Sequence, residues 1–539
     1  MTLSQFLDQS LKEKRPSEIV YVSLGAFVAV KVLVNILKDG NIINRLNLAK
    51  WRVVRAIASP IINREVKKTS KSFKMPSKKG EFKATKLPEK ESTDDEILQL
   101  VKEFHQDLDQ PYERGGLSGT VYHGGASHTR LINRVMEIFQ WSNPLHSDVF
   151  GATRKMEAEV VSMVVHMFNG HLLPDACGAV TSGGTESILM SLKSYRDWGR
   201  KTRDIKHPSV IVPITAHPGF DKAAEYFGIK LIKVPVDPVT KRVDAKEMEK
   251  YITYDTVALV GSAPTFPHGV IDPIPELAEI AYRHDIGLHV DCCLGGFIVP
   301  FMEKAGFPVP VVDFRLPGVT SISCDTHKYG YAPKGTSTIL YRTMELRSFQ
   351  FCCVADWPGG IYCSPAVSGS KPGNVIAGAW AAMIRMGEEG YVKSCKKIIE
   401  TRIKITDALS KLPCIQIIGD PTVSVFAFNS DKIDIFTLGD RLGKLGWALN
   451  RLQFPSGLQF SLTLLQTRDG VAQQFIHDVT VIASEMYAEL QQQEEKEGIK
   501  IKKNDTGGTV YASQQRISDR TIVKDVLREF LNQYYSTDH

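Results

Sequence analysis

Between residues 157 and 343 the chain keeps two hydrophobic rhythms in alternation. Short β-branched runs, ACGAVTSGG, SVIVPITAH, IKLIKVPV, VALVGSAP, GLHVDCC, SISCDTHK and STILYRT, are separated by stretches with helical spacing of apolar positions. This pattern predicts an α/β fold with a mostly parallel sheet and flanking helices. In such sheets ligands collect at the carboxyl ends of the strands, so the residues just after each run are where chemistry is expected. Upstream, Thr93 and Glu96 suit a capping box that opens a helix through EILQLVKEFHQDL. Beyond about Asn374 helices dominate, ending with one around residues 471–497, which predicts a smaller C-terminal α+β domain. No internal repeat of about 20–50 residues is evident, so a solenoid is not expected.

Nearer the N-terminus the texture differs. Residues 19–37 read IVYVSLGAFVAVKVLVNIL, interrupted mainly by Lys31 and Asn35, a length suited to crossing a bilayer as a helix. A cleaved signal peptide and a buried amphipathic helix are the competing readings. Lys31 breaks the apolar run, and dense basic sequence follows where a mature secreted domain would begin, which weakens the first of these. The downstream flank is much the richer in Lys and Arg, so the expected orientation places the C-terminal bulk in the cytosol. The layout predicted is an N-terminal lumenal segment (1–18), a transmembrane helix (19–37), a basic linker (38–91) and a helical segment contributing to the active site (92–150). A large cofactor-binding domain (151–374) and a small C-terminal domain (375–539) complete it.

Charge reinforces that division. The 539 residues carry a formal +6, yet residues 38–90 hold fifteen Lys/Arg against four acids, a local +11 that leaves about −5 elsewhere. A basic excess confined to one stretch suits an anionic membrane surface. Without a zinc-finger, RNA-binding or helix-turn-helix signature, nucleic acid is not expected as a partner. The nine cysteines include the adjacent pairs Cys292/Cys293 and Cys352/Cys353 but no CxxC or Cys/His spacing, so neither a metal site nor a disulfide framework is predicted.

Three strand ends carry candidate chemistry. Thr181 to Ser187, TSGGTES, is a glycine-rich turn entering a helix, where backbone amides and the helix dipole favour a phosphate. A plain strand-to-helix turn has the same composition, and neither a P-loop nor a GxGxxG is present. Asp291 closes GLHVD and could pair with a protonated pyridine nitrogen; capping is its plain alternative. Lys328 ends DTHK, where desolvation and nearby cations would lower its pKa and make a nucleophilic amine. Singly it reads as an exposed lysine. In order, however, a phosphate turn, a strand-end Asp and a strand-end Lys form the set needed to grip pyridoxal 5'-phosphate, with Lys328 as Schiff-base lysine. His217, read as ending SVIVPITAH, would face the same rim and could stack on the cofactor ring, or simply cap.

TSGGTES, TAHPGFDKAAEYFGIK, GSAPTFPHGVIDPI, LHVDCCLGGF, DTHKYGYAPKG and DWPGGIYCSPAVSGSKPG occur here in one order. Together they resemble the fold-type I pyridoxal-phosphate enzymes of the group II decarboxylase-like branch, and within it the sphingosine-1-phosphate lyase family, over roughly residues 96–486. The anchor followed by a basic linker is also the layout of the eukaryotic lyases. The resemblance implies that Lys328, Asp291 and His217 serve as Schiff-base lysine, ring-nitrogen partner and stacking histidine. It further implies that Gly184, Thr185 and His327 bind the cofactor phosphate, with Ser370 reaching it from the neighbouring subunit of a homodimer. Tyr122, Asn143, His146 and Lys334 match substrate-side positions. Where GSRPG is expected the chain has Gly369-Ser370-Lys371-Pro372-Gly373, which keeps charge but loses the planar guanidinium fork.

The implied activity is cleavage of the C2–C3 bond of a phosphorylated sphingoid base to a fatty aldehyde and phosphoethanolamine, at an endoplasmic reticulum membrane. A pyridoxal-phosphate amino-acid decarboxylase is the alternative, disfavoured by the anchor. A tethered scaffold with a dead site is the non-enzymatic one, opposed by Lys328, Asp291 and His217. Chain-length preference, regulation and the general base are not legible.

Overall fold

The computed structural model describes residues 82, 84–108, 112–497 and 520–536. The expected span at 19–37 lies outside them; among the described residues no helix is long and apolar enough to cross a membrane. The described residues from 98 to 497 form one compact unit. The described residues before and after it group separately and include helix Arg520–Tyr534.

The first helix, α1 (Asp94–Leu108), opens as its sequence predicts. Glu96 N donates to Thr93 Oγ1 at 3.3 Å and Thr93 N donates to Glu96 Oε2 at 2.8 Å, satisfying two backbone donors reciprocally. The seven apolar runs become the seven strands of the large sheet: β1 (Cys177–Thr181), β2 (Ser209–Pro213), β3 (Lys230–Val234), β4 (Thr256–Ser262), β5 (Gly287–Asp291), β6 (Val319–Cys324) and β7 (Ser337–Tyr341). Their spatial order is β1-β7-β6-β5-β4-β2-β3. Five strands, from β3 through β2, β4 and β5 to β6, pair in parallel. Only β7 runs against its neighbours, inserted between β1 and β6.

Burial on both faces explains why β4 and β5 read as unbroken apolar runs. Alternation still sorts their side chains. Leu259, Leu288, Val290 and Ile322 join one core with Leu277 and Ala281 of the helix Ile274–Arg283. Val210, Val212, Ala258 and Val260 pack on the other face against Ile188, Leu192 and Tyr195 of α2 (Gly184–Arg203). His289 and Asp291, alternating with Leu288 and Val290, therefore lie on the α2 side.

The C-terminal half begins with α3 (Gly373–Leu409), two helical segments joined at Gly387, whose φ of 54° and ψ of 178° belong to a region open chiefly to glycine. Four antiparallel strands follow, β10 (Gln416–Ile417), β11 (Val425–Asn429), β12 (Asn450–Leu452) and β13 (Gly457–Ser461), ordered β10-β11-β13-β12. The long helix α4 (Val471–Glu497) covers them through Phe475, whose ring centroid lies 4.8 Å from Phe460 and 5.0 Å from Trp447. Between the sheets an exposed hairpin, β8 (Cys352–Val354) and β9 (Tyr362–Ser364), stands apart.

Candidate active site

The carboxyl ends of β1, β5 and β6 converge. At β1 the chain turns through Ser182-Gly183-Gly184 into α2. Glu186 tightens the turn by accepting from Ser182 N at 2.6 Å, while its other oxygen accepts from Val367 N at 2.8 Å. Gly184 is required by space: a Cβ there would lie 2.7 Å and 2.8 Å from the Asp325 carboxylate oxygens and 2.8 Å from Cys293 Sγ. Across the turn, His327 approaches so closely that a Cβ on Gly183 would sit 3.5 Å from its Cε1.

Lys328 follows β6 on a turn and points back, its Nζ 2.8 Å from Asp325 Oδ2. This corrects the expectation of a depressed lysine pKa. Burial does press the value down, but the buried Asp325 carboxylate outweighs it and the net displacement is upward. Asp325 is itself held below the ordinary carboxylate range: burial opposes ionisation, while Lys328 and His327 favour it more strongly. Lys328 is thus stored as an ammonium ion in this chain. Asp325, three residues before it, was not singled out by its sequence context, although the Asp-x-x-Lys spacing was a usable signal.

Asp291 ends β5 with its carboxylate fixed on one side. Oδ1 accepts from Cys293 N at 3.0 Å and from Ser323 Oγ at 3.2 Å. Among the described residues Oδ2 has no hydrogen-bond partner and is left for a further donor.

Beside Lys328 lies a cavity of about 250 Å³ lined by Tyr122, His123, His128, His327, Lys328 and Lys334, among others. Lys334 Nζ donates to His327 O at 3.3 Å and stands 4.7 Å from the centroid of the Tyr122 ring. Burial and the nearby Lys328 bring Lys334 down to about 8, with Asp325 opposing. Burial lifts Tyr122 to about 12. His123 stacks on His128 at 4.1 Å, and burial followed by the charges of His128, Arg385 and Arg468 takes it down to about 4, so it lines the cavity as a neutral ring. Neither histidine was foreseen; the only hint was His123 following Tyr122.

Residues 142–431 match the model of the pyridoxal-dependent decarboxylase conserved domain. Sphingosine-1-phosphate lyase 1 of Rattus norvegicus is 45% identical over 84% of this chain and 77% of its own length. The sphingosine-1-phosphate lyase of Dictyostelium discoideum is 38% identical over 98% of both. The chain belongs to the sphingosine-1-phosphate lyases. Their fold is matched as well: a solved sphingosine-1-phosphate lyase of Burkholderia pseudomallei superposes with a TM-score of 0.73 at 39% identity, covering 77% of this chain and 96% of that one.

The cofactor of these lyases is pyridoxal 5'-phosphate, and the site fits it chemically. An amine stands at Lys328, a carboxylate oxygen without a described partner at Asp291, and the N-terminus of α2 at Gly184. Thr326 Oγ1 and His327 Nδ1 are buried without a hydrogen-bond partner, polar atoms that a ligand with several oxygens would satisfy.

Other residues matched to the lyases make no described contact with Lys328. His217 does not end a strand: β2 stops at Pro213, where a turn closes with Ala216 N donating to Pro213 O at 3.0 Å. The exposed His217 ring accepts from Gly219 N at 3.0 Å, and no described contact joins it to Asp291 or Lys328. Asn143, His146 and Ser370 form a second group. Asn143 Oδ1 accepts from Lys371 N at 3.1 Å and from Leu145 N at 3.2 Å, and His146 N donates to Asn143 O at 3.0 Å. His146 and Ser370 are exposed, and no described contact reaches Lys328. Lys371, the departure from the lyase pattern, forms an ion pair with Glu157.

Proposed function

We propose that this chain is a pyridoxal-phosphate-dependent aldehyde-lyase that cleaves the C2–C3 bond of sphingosine 1-phosphate and related sphingoid-base phosphates to a fatty aldehyde and phosphoethanolamine. The relatives named sphingosine-1-phosphate lyase support it. One observation of the site carries it: two lysines line one cavity, and only Lys328 has a carboxylate partner. Among the described residues Lys334 has none. A phosphate dianion calls for such an unpaired cation beside the reacting amine.

When bound, the cofactor supplies an electron sink for the pair left on C2 as the C2–C3 bond breaks. Lys328 is the amine that holds it. Asp291, through Oδ2, keeps a proton on the ring nitrogen; Gly184, Thr185 and His327 receive the cofactor phosphate, and His217 stacks on its ring. Tyr122 and Lys334 bind the substrate phosphate. Asn143, His146 and Ser370 complete the site of a second copy, so the working enzyme is a homodimer. Residues 19–37 anchor it in the endoplasmic reticulum membrane by a single span with the catalytic part in the cytosol, a reading supported by the basic flank.

The test is turnover of sphingoid-base phosphates by the purified full chain, with Lys328→Ala and Lys334→Ala beside it. Fatty aldehyde from the wild type and none from Lys328→Ala is expected. Release of CO2 from a free amino acid instead would overturn the reading, and loss of cofactor binding in Lys334→Ala would put that lysine at the wrong phosphate.

A further inference from the structure

Asp291 is the last link of a buried chain of hydrogen bonds running along the α2 face of the sheet. The registers of β5 and β6 set His289 opposite Ser321 and Asp291 opposite Ser323, so alternate residues of two adjacent strands meet on one face. Tyr195 OH lies 2.6 Å from Ser321 Oγ and 2.7 Å from Thr320 Oγ1. Ser321 Oγ lies 2.7 Å from His289 Nδ1, and His289 Nε2 lies 3.2 Å from Ser323 Oγ. Ser323 reaches Asp291 Oδ1 at 3.2 Å. His289, Ser321 and Ser323 are wholly buried and Tyr195 nearly so. Tyr195 is pressed over Gly287, where a Cβ would stand 2.2 Å from its ring.

The proton positions follow from the end of the chain. An ionised carboxylate only accepts, so the single hydroxyl proton of Ser323 is committed to Asp291. Ser323 can then only accept from His289, which places a proton on Nε2. Burial takes His289 down to about 4, with Asp291 opposing, so the ring is neutral and Nδ1 carries a lone pair. Nδ1 accepts from Ser321, which in turn accepts from Tyr195. Every donor points toward Asp291. Because Oδ1 is doubly occupied, the cofactor is left with Oδ2.

We infer that His289, fixed as its Nε2–H tautomer, is a positioning residue that acts through Ser323 to hold Asp291 turned with Oδ2 toward the cofactor ring nitrogen. The inference rests on the reading of Asp291 as the ring-nitrogen partner. A residue that merely packs the sheet would matter equally for any cofactor. One that aims Asp291 matters only when a ring nitrogen is there to be bound.

Apoenzyme is reconstituted with pyridoxal phosphate and with its analogue carrying CH in place of the ring nitrogen, and both dissociation constants are read from absorbance. Thermal unfolding of each apoprotein is followed in parallel. The wild type is expected to prefer the natural cofactor, and Asp291→Asn to lose that preference. Ser323→Ala and His289→Leu are expected to reduce it about tenfold, the worth of a hydrogen bond to a charged group, while His289→Gln, which keeps a donor toward Ser323, stays within about twofold of wild type. If Asp291→Asn keeps the preference, the reading of Asp291 itself fails. If Asp291→Asn loses it while Ser323→Ala and His289→Leu keep it, or weaken both cofactors alike, the inference alone is overturned. Should His289→Leu not fold, Ser323→Ala decides.

Discussion

The cavity at the end of the large sheet and the arm at residues 352–373 hold their polar side chains in opposite ways. At the strand ends the reacting groups are set by buried partners: Lys328 by Asp325, Asp291 by Cys293 N and Ser323. The arm is mostly exposed and is fastened at points that include Pro365 O on Gln350, Val367 N on Glu186, Lys371 on Asn143 and Glu157, and Gly373 N on Ser142 O. Partners at the strand ends fix protonation and orientation. Those on the arm fix only where the loop lies. Substitutions in the first should change chemistry, and substitutions in the second should change affinity or assembly.

Lys328→Ala offers the sharpest contrast. It should abolish both turnover and the visible absorbance of the lysine-bound cofactor; an unchanged spectrum would refute the assignment. Next is Asp325→Asn, which leaves a buried ammonium ion without its partner and should cost the apoenzyme about 3 kcal/mol in chemical denaturation. It should also move cofactor uptake to lower pH. The sign follows from the carboxylate raising Lys328: without it burial dominates, the lysine's pKa falls, and neutral amine is present at lower pH. An uptake profile that stays in place would show that Asp325 does not control the amine.

A smaller effect is expected at the substrate cation. Lys334 titrates near 8, so it is charged below that pH and loses charge above it. KM for a sphingoid-base phosphate should therefore rise as pH passes about 8. In Lys334→Arg, whose guanidinium stays charged, the alkaline rise should vanish. On the arm, Lys371→Ala should lower stability by about 1 kcal/mol, because its pair with Glu157 is only partly buried. Lys371→Arg should change activity less than about twofold by the same estimate. A large loss in Lys371→Arg would erase the proposed difference between the two regions.

Much of the fold could be read directly, since all seven runs between residues 157 and 343 are strands and the Thr93/Glu96 cap forms as drawn. Strand direction could not. STILY is a short buried run, and such a run has the same pattern whichever way it lies, so the reversed β7 left no trace. For the site, the residue types at the strand ends were legible, but their protonation was not. Lys328 looked like an amine made reactive by desolvation because the Asp-x-x-Lys spacing of DTHK does not by itself say that Asp325 is buried against it. His289 and Ser323 were passed over for a related reason: their meeting depends on the register between β5 and β6, which no single strand encodes. Lys371 went the other way, an odd residue in the sequence that Glu157 explains in space.

The reversed β7 also sets an order of events. β1, the first strand of the sheet to leave the ribosome, hydrogen-bonds within the sheet only to β7, the last. Its place cannot close until Ser337–Tyr341 has been made, a long loop closure that slows folding. The glycine turn after β1 and the lysine turn before β7 are therefore joined by the same late step. A nascent chain that stops short of β7 holds both halves of the cofactor grip but lacks the strand that ties β1 into the sheet beside β6.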